Sequence, residues 1–325
     1  MSDRYINPFA DYGFKKLFGT EANKDLLISL LNAIIADDDS ISDITYGNVE
    51  QIGEIIGTRT NYFDVYCYTQ SGRRFIVEMQ NNWRPYFKDR TVYYVAKPIR
   101  DQGDVRIQSS DNLAYLNKKI QRAKEEWKEM EEKHEREFKK SRKEWNYRLE
   151  DVYLIAIMDF KLPHKEYPND SYFHKIKLMD VEDHHVFYDK LTLIYIEMPK
   201  LQYADFQLDN MRDKWMYALD CLYNYGVYPE ELQEDIFKKL FQQAELANFT
   251  PEQQLNYERS RKVYLDIYAD LEGAKILGLE EGKEEASLAI AQKMSQNGMD
   301  YATIEQLTGV TEEKLSKTTP SPSPS

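Results

Sequence analysis

Apolar residues recur at helical spacing near the start of the chain. Phe14, Leu17 and Phe18 follow a turn at Asn7-Pro8, and this arrangement predicts a first helix. A second helix is predicted over residues 23–36, because its apolar positions repeat every three or four residues. Those positions are Leu26, Leu27, Leu30, Leu31 and Ile34.

The pattern then changes to short stretches that are typical of strands. Strands are predicted over residues 45–56, 61–68 and 74–80, and the turn Gln70-Ser71-Gly72 joins the last two into a hairpin. A helix is predicted over residues 86–100. The first part of the chain is therefore expected to mix helices and strands around one sheet.

Residues 113–149 differ in character from the rest of the chain. They are rich in Lys, Glu and Arg, they lack Gly and Pro, and their apolar residues fall three or four apart, which predicts a long amphipathic helix. We favour a solvated helix that docks on its own domain. A self-association helix that would make a homo-oligomer is the second interpretation. A nucleic-acid arm is the third, since the charges nearly cancel.

The second half of the chain begins with strands and continues with helices. Strands are predicted over 151–160 and 186–198, with polar loops between them. Helices are predicted over 211–224, 230–247, 251–269, 285–297 and 301–307, with a last turn from Thr311. Gly273, Gly278 and Gly282 predict a hinge after the third of these helices.

These patterns predict a division into several parts. The core is expected over residues 1–200, interrupted by an insertion at 111–150, and a helical extension over 201–272. A small helical unit at 273–317 and a disordered Ser/Pro-rich tail at 318–325 complete the chain. The small unit has a helix–turn–helix rhythm. Because it is not basic, we favour protein contact or regulation over DNA reading for it.

Charge changes the picture once it is divided along the chain. The 325 residues carry a net charge of −13, which argues against a protein that coats nucleic acid by charge alone. Residues 1–110 carry only −2 and residues 111–150 carry +2, so the acidic excess lies after residue 150. Any affinity of the core for DNA is therefore expected to be local and dependent on a bound cation.

Cysteine content and the N-terminal sequence bear on the compartment. Cys67 and Cys221 are the only cysteines and lie far apart, so a disulfide framework is excluded. The polar first ten residues do not resemble a signal peptide, and no apolar run is long enough to span a membrane. We expect a soluble cytoplasmic protein. The 25 tyrosines are spread along the chain and are expected in packing rather than as base-stacking platforms.

Two carboxylates in the predicted hairpin form the candidate site. With the turn near residues 71–72, paired positions sum to about 142 or 143, so Asp64 lies opposite Glu78 or its neighbour. Gln80 points to the same face as Glu78. Opposed carboxylates repel, and a bound Mg²⁺ or Mn²⁺ would offset that repulsion. Alternatively they are ordinary strand residues, or one pairs with Arg59 or Arg90.

Other clusters have weaker support. His184 and His185, with His174 and Asp183 nearby, are not favoured as a transition-metal site, because adjacent strand residues point to opposite faces. No phosphate-cradling glycine motif is present, so nucleotide binding has no support.

An Asp in one strand followed by Glu-x-Gln in the next resembles the PD-(D/E)XK nuclease superfamily. More specifically, the chain resembles the Rpn-type recombination-promoting nuclease or putative transposase family. The blocks that carry the resemblance are residues 11–18 (DYGFKKLF), Asp64, 77–80 (VEMQ), 87–90 (FKDR) with Tyr93-Tyr94, 152–155 (VYLI) with Asp159-Phe160, 194–200 (IYIEMPK), 213–215 (DKW), and, in the helical tail, Gly282, Ile290-Ala291, Gly298 and 307–310 (LTGV). The resemblance covers nearly the whole chain except the helix at 113–149.

The resemblance implies an α/β fold with a restriction-endonuclease-like core, in which helices flank a central mixed sheet. It implies that Asp64 and Glu78 hold Mg²⁺ or Mn²⁺ and that Gln80 stands where the superfamily more often has Lys. A Gln cannot act as a general base, but it can orient a water molecule. Asp11 and Lys15 are possible accessory residues, or else a helix cap and an exposed lysine. Arg90 is a candidate DNA phosphate ligand, with a surface ion pair as the alternative.

These observations predict a metal-dependent DNA endonuclease that hydrolyses phosphodiester bonds and promotes recombination or transposition. The rival hypothesis is a catalytically silent protein with the same fold that acts as an interaction or regulatory module through its helices. The two differ in whether a divalent cation binds at Glu78.

Overall fold

The computed structural model describes residues 4–36, 40–47, 50–51, 61–103, 147–163, 170–201 and 208–318. Within the chain, Met1–Tyr264 form one compact unit and Leu265–Ser325 form a second. Among the described helices, none has a stretch that is both long and apolar enough to cross a membrane. Residues 113–146 of the predicted helix and the tail from residue 319 lie outside the described residues, whereas residues 147–149 are described and are not helical.

The first unit contains all the strands. They are β1 (Thr45–Tyr46), β2 (Glu50–Gln51), β3 (Asn61–Tyr62), β4 (Val65–Tyr68), β5 (Arg74–Gln80), β6 (Val152–Met158), β7 (Phe173–Met179) and β8 (Val186–Glu197). Six of them form a sheet in the order β1-β4-β5-β6-β8-β7, and β2 pairs with β3 separately. The β5, β6 and β8 strands are parallel, whereas β4 and β7 are antiparallel to their neighbours. The sheet is therefore mixed, as the fold class required.

Helices cover both faces of this sheet. They are α1 (Asp11–Phe18), α2 (Lys24–Ile35), α3 (Phe87–Arg100), α4 (Met211–Asp220), α5 (Asp235–Ala244) and, up to residue 264, the first part of α6 (Pro251–Gln296), which continues into the second unit. On one face, Val77 and Ile155 pack with apolar residues of α1, α2, α4 and α5, such as the fully buried Trp215. On the other face, Ile76 and Leu154 pack with Phe87 and Val95 of α3. The sheet flanked by helices confirms the predicted fold class.

Most predicted elements of the first unit agree with the structure to within a few residues, and β5 agrees exactly. The stretch predicted as one strand over 45–56 contains the short β1 and β2, and residues 48–49 and 52–60 lie outside the described part. The prediction of polar loops between residues 160 and 186 was wrong at β7. The strand has a weak apolar alternation because it forms a half-exposed sheet edge beside β8.

The predicted hinge at Gly273, Gly278 and Gly282 was also wrong, because α6 continues as one helix through all three glycines. Open space surrounds each of them, so no close approach or special backbone conformation explains their presence. In the second unit, α7 (Tyr301–Thr308) and α8 (Glu312–Thr318) follow α6. Ala291, Ile304, Val310 and Leu315 form the small core of this unit.

Candidate active site

The two carboxylates of the hairpin lie at the end of β5 where the chain leaves the sheet. The residue numbers of paired positions in β4 and β5, such as Val65 and Val77, add up to 142, which confirms the predicted register. Asp64 precedes Val65 and Glu78 follows Val77, so this register brings the two acidic residues side by side at the end of the hairpin. The side chains of β2 and β3, and Arg59, lie outside the described part of the chain.

Glu78 is almost completely buried, with an exposed fraction of 3%. Its Oε2 accepts a hydrogen bond of 2.9 Å from Gln80 Nε2 and lies 3.6 Å from Arg90 Nη2. Its Oε1 is buried and has no hydrogen-bond partner among the described residues. Burial, and then the neighbouring charge of Asp64, raise the pKa of Glu78 well above its ordinary value.

Asp64 is held by the backbone of the strand next to it. Its Oδ2 accepts a hydrogen bond of 2.7 Å from the Met79 amide. Burial raises the pKa of Asp64 to about 6, despite this hydrogen bond and the positive charges of Lys15 and Arg90. Both carboxyl groups thus resist ionisation, and a nearby cation would stabilise their ionised forms.

Arg90 approaches Glu78 from α3, the first helix after β5. Its Nε donates a hydrogen bond of 2.9 Å to the Tyr94 hydroxyl, and its guanidinium lies 5.1 Å from the centre of the Tyr94 ring. The predicted alternative of an ion pair is present, but its partner is the buried Glu78 and not a surface residue. Arg90 is thereby fixed at the mouth of the site.

Asp11 and Lys15 lie on α1 and form an ion pair of 2.6 Å. Ala10, not Asp11, is the N-cap residue of this helix, so the expected capping role does not apply. Through their charges, Asp11 raises and Lys15 lowers the pKa of Asp64. The structure joins Glu78 to Gln80 and Arg90 by direct contacts, and the hairpin register places Asp64 beside Glu78. Asp11 and Lys15 are linked to this group through electrostatics.

Asp159 is a neighbour of the site that had no assigned role. Its backbone amide donates a hydrogen bond of 2.8 Å to the Gln80 carbonyl, and its Oδ2 accepts one of 2.8 Å from the Tyr264 hydroxyl. Burial raises the pKa of Asp159 to about 6. The signal in the sequence was its position directly after an apolar strand, where parallel strands gather polar groups at one edge.

Glu197 is a second buried carboxylate in the same row of the sheet. Gln80 pairs with Met158, which pairs with Glu197, so these three residues share one face. The Glu197 carboxylate lies 2.7 Å from each of His174 Nε2, Lys200 Nζ and the Leu162 amide. These contacts tie the segment after β6 to β8. His174 is thus part of a buried structural network rather than the histidine cluster considered above.

The turn between β7 and β8 contains the other acidic cluster. Ligand atoms of Asp180, Asp183 and His185 lie within 4.8 Å of one another. Asp183 and His185 are exposed, and Asp180 accepts hydrogen bonds from the amides of the same turn. This geometry is typical of a polar turn, and it lies at the end of β8 opposite the hairpin carboxylates.

Two family models match the chain. The model described as PD-(D/E)XK nuclease family transposase matches residues 8–118 and 131–274. The model described as Rpn/YhgA-like nuclease family, C-terminal HTH domain, matches residues 284–319. The unmatched residues 119–130 lie within the insertion predicted at 111–150. Neither a curated protein nor a solved structure matches the chain.

Proposed function

The chain belongs to the PD-(D/E)XK nuclease family transposases, and from this premise we propose that it is a metal-dependent DNA endonuclease. The family supports a nuclease-type activity. The proposal adds that DNA is the substrate, that Mg²⁺ or Mn²⁺ is required, and that Asp64 and Glu78 hold the cation.

One observation carries this proposal. Glu78 places a carboxylate oxygen in a buried position with no hydrogen-bond partner among the described residues, beside a second carboxylate of raised pKa. Leaving a buried acceptor unpaired costs about 1–3 kcal/mol. A hard divalent cation removes that cost, because it binds carboxylate oxygens and offsets the repulsion of the pair. The residues present therefore fit such an ion.

When bound, a cation of this kind supplies an activated water and neutralises charge on the phosphate under attack. Asp64 and Glu78 would hold it. Gln80 keeps Glu78 in place through its amide hydrogen bond, and its remaining acceptor oxygen is available to orient a water molecule. Arg90 would bind a phosphate oxygen, since its guanidinium lies 3.6 Å from Glu78 and its planar set of N–H donors matches the geometry of a phosphate.

DNA as the partner is supported by one observation in each unit of the chain. In the first unit, the cationic Arg90 lies 3.6 Å from Glu78, where it could bind a phosphate oxygen of DNA. In the second, the match with an HTH domain suggests DNA binding. Residues 284–319 carry six acidic and three basic side chains, so any DNA contact there would be local. A role in recombination or transposition is a further step of the proposal, since either process begins with cleavage of a DNA strand.

A silent interaction module remains the second candidate, because Gln80 and Arg90 already satisfy Glu78 Oε2 without a cation. Calorimetry with Mn²⁺ separates the two hypotheses. We expect wild-type protein to bind the ion and Glu78→Ala to lose binding while far-UV circular dichroism stays unchanged. Equal heats of binding for both proteins would exclude the proposed metal site.

A further inference from the structure

We propose that the active site acts on single-stranded DNA, whose unpaired bases stack on three exposed aromatic rings beside the site. The rings belong to Trp83, Tyr86 and Tyr93, which are 42%, 78% and 54% exposed. This inference rests on the proposed nuclease function. It departs from the expectation that the tyrosines serve packing rather than base stacking.

The rings lie next to the proposed catalytic groups. Trp83 and Tyr86 belong to the segment between β5 and α3, which starts directly after Gln80. The Arg90 amide donates a hydrogen bond of 3.0 Å to the Tyr86 carbonyl, so Tyr86 lies one helical turn before Arg90. Tyr93 lies three residues after Arg90, on the same side of α3. Two exposed rings thus flank the arginine that contacts Glu78.

Charge favours a nucleic acid as the occupant of this surface. Residues 81–100 contain five Lys or Arg residues and one Asp, a net charge of +4 in a chain of −13. An apolar protein partner would not require such a reversal of sign, whereas a phosphate backbone does. Aromatic rings interleaved with basic side chains are the arrangement by which proteins hold single strands.

Tyr86 has a backbone conformation that supports a role for its ring. It adopts the left-handed conformation, with φ of 66° and ψ of 25°, at the start of α3. A bulky residue rarely takes this conformation, which Gly or Asn accepts at lower cost. A tyrosine that is strained in its backbone and largely exposed in its ring is not explained by packing of the fold.

Unpaired bases fit these rings better than a duplex does. In double-stranded DNA the faces of the bases are covered by their neighbours in the stack, and only their edges are open to a protein. A single strand presents the faces themselves, and each has a π surface that an aromatic side chain can cover. The rings would therefore hold the strand while Arg90 binds the phosphate beside the carboxylates.

The test compares a fluorescent 20-nucleotide single strand with its duplex. Anisotropy with Mg²⁺, on a phosphorothioate copy of each probe that resists cleavage, measures binding, and 2-aminopurine in the single strand reports base stacking. We expect wild-type protein to favour the single strand. Tyr93→Ala and Trp83→Ala should each weaken single-strand binding at least about fivefold and reduce the 2-aminopurine change, while duplex binding stays unchanged. Tyr93→Phe should restore both signals, because it keeps the ring.

Phe187→Ala is the matched control, since this ring is 75% exposed but lies at the start of β8, the end opposite to the hairpin carboxylates. It should bind like wild type. The inference would be overturned if the protein preferred the duplex, or if both ring variants bound the single strand as wild type does. It would also be overturned if an RNA strand of the same sequence were bound and cleaved in preference to the DNA strand. Cleavage of the probes with Mg²⁺ or Mn²⁺ is measured in parallel. Failure of the wild type to cut either DNA refutes the proposed function, whereas equal cutting of both DNAs by wild type and Tyr93→Ala refutes only this inference.

Discussion

At the scale of single residues, Glu78 combines burial, a like-charged neighbour and an oxygen atom that has no hydrogen-bond partner among the described residues. Glu78→Gln removes the charge but keeps the size of the side chain. We expect the metal-free variant to be more stable than wild type by ~1–2 kcal/mol, because folding no longer requires the Glu78 carboxyl group either to be buried as an anion or to take up a proton. Urea unfolding in EDTA measures this difference.

The same variant should lose the stabilisation that a cation confers. Wild-type protein is expected to unfold at higher urea concentration when Mn²⁺ is added, since a ligand that binds only the folded state stabilises it. A variant that is stabilised by Mn²⁺ as strongly as wild type would show that the ion binds elsewhere, for example at the exposed turn of Asp180, Asp183 and His185.

The raised pKa of Asp64, about 6, predicts how metal binding depends on pH. Below this value the carboxyl group holds a proton that a cation must displace, so affinity should fall as the pH decreases through 6. We expect Mn²⁺ affinity to drop up to about tenfold per pH unit for each proton displaced. Titrations at pH 5.5, 6.5 and 7.5 would reveal this, and constant affinity would contradict it.

Asp159 allows a separate test of stability. Its folded pKa of about 6 lies above the ordinary value of 3.8, so its ionisation destabilises the folded state as the pH rises from about 4 to above 6. Asp159→Asn keeps an oxygen acceptor for Tyr264 and removes the charge. At pH 7 the variant should be ~1–3 kcal/mol more stable, and the gain should shrink toward pH 4. A gain that grows in acid would refute this assignment.

Part of the candidate site could be predicted from single residues and their spacing. The turn at residues 70–72 determines the hairpin register, so Asp64 and Glu78 could be placed side by side from spacing alone. The contacts of Glu197 with His174, Lys200 and Leu162 could not, because they join segments whose proximity depends on the order of the strands.

At the scale of elements, predictions succeeded where burial imposes a strong pattern. The strand β5 and helix α2 have dense apolar positions, and their limits were found almost exactly. β7 was missed because an edge strand keeps polar residues on its exposed side. The hinge was wrongly predicted because glycines lower helix propensity, by about 1 kcal/mol each, without breaking a helix that other residues favour.

The continuous α6 helix predicts the effect of replacing one of its glycines. Gly278 has open space around it, so Gly278→Ala should stabilise the helix by ~0.5–1 kcal/mol. Hydrogen exchange of the amides near residue 278 should slow accordingly. Gly226→Ala is a useful contrast, because Gly226 has a φ of 61° and alanine is strained there. Unchanged or faster exchange around residue 278 would indicate a bend in solution.

At the scale of the whole molecule, the net charge of −13 is a poor guide to function. The excess of acidic over basic residues lies after residue 150, while the segment that follows the carboxylates, residues 81–100, carries +4. The sheet brings β5, β6 and β8 together so that Gln80, Met158 and Glu197 end at one edge. For the proposed nuclease, the local charge beside this edge of the sheet therefore bears on DNA binding more than the net charge of the chain does.

Cleavage of supercoiled plasmid tests the central claim most directly. Wild-type protein and Glu78→Ala are compared with Mg²⁺ and with EDTA, after circular dichroism has shown that both are folded. We predict nicked or linear plasmid only with wild-type protein and Mg²⁺, with activity reduced at least about a hundredfold in the variant. Equal cleavage by the two proteins, or cleavage by wild type that persists in EDTA, would contradict a catalytic cation held by Asp64 and Glu78.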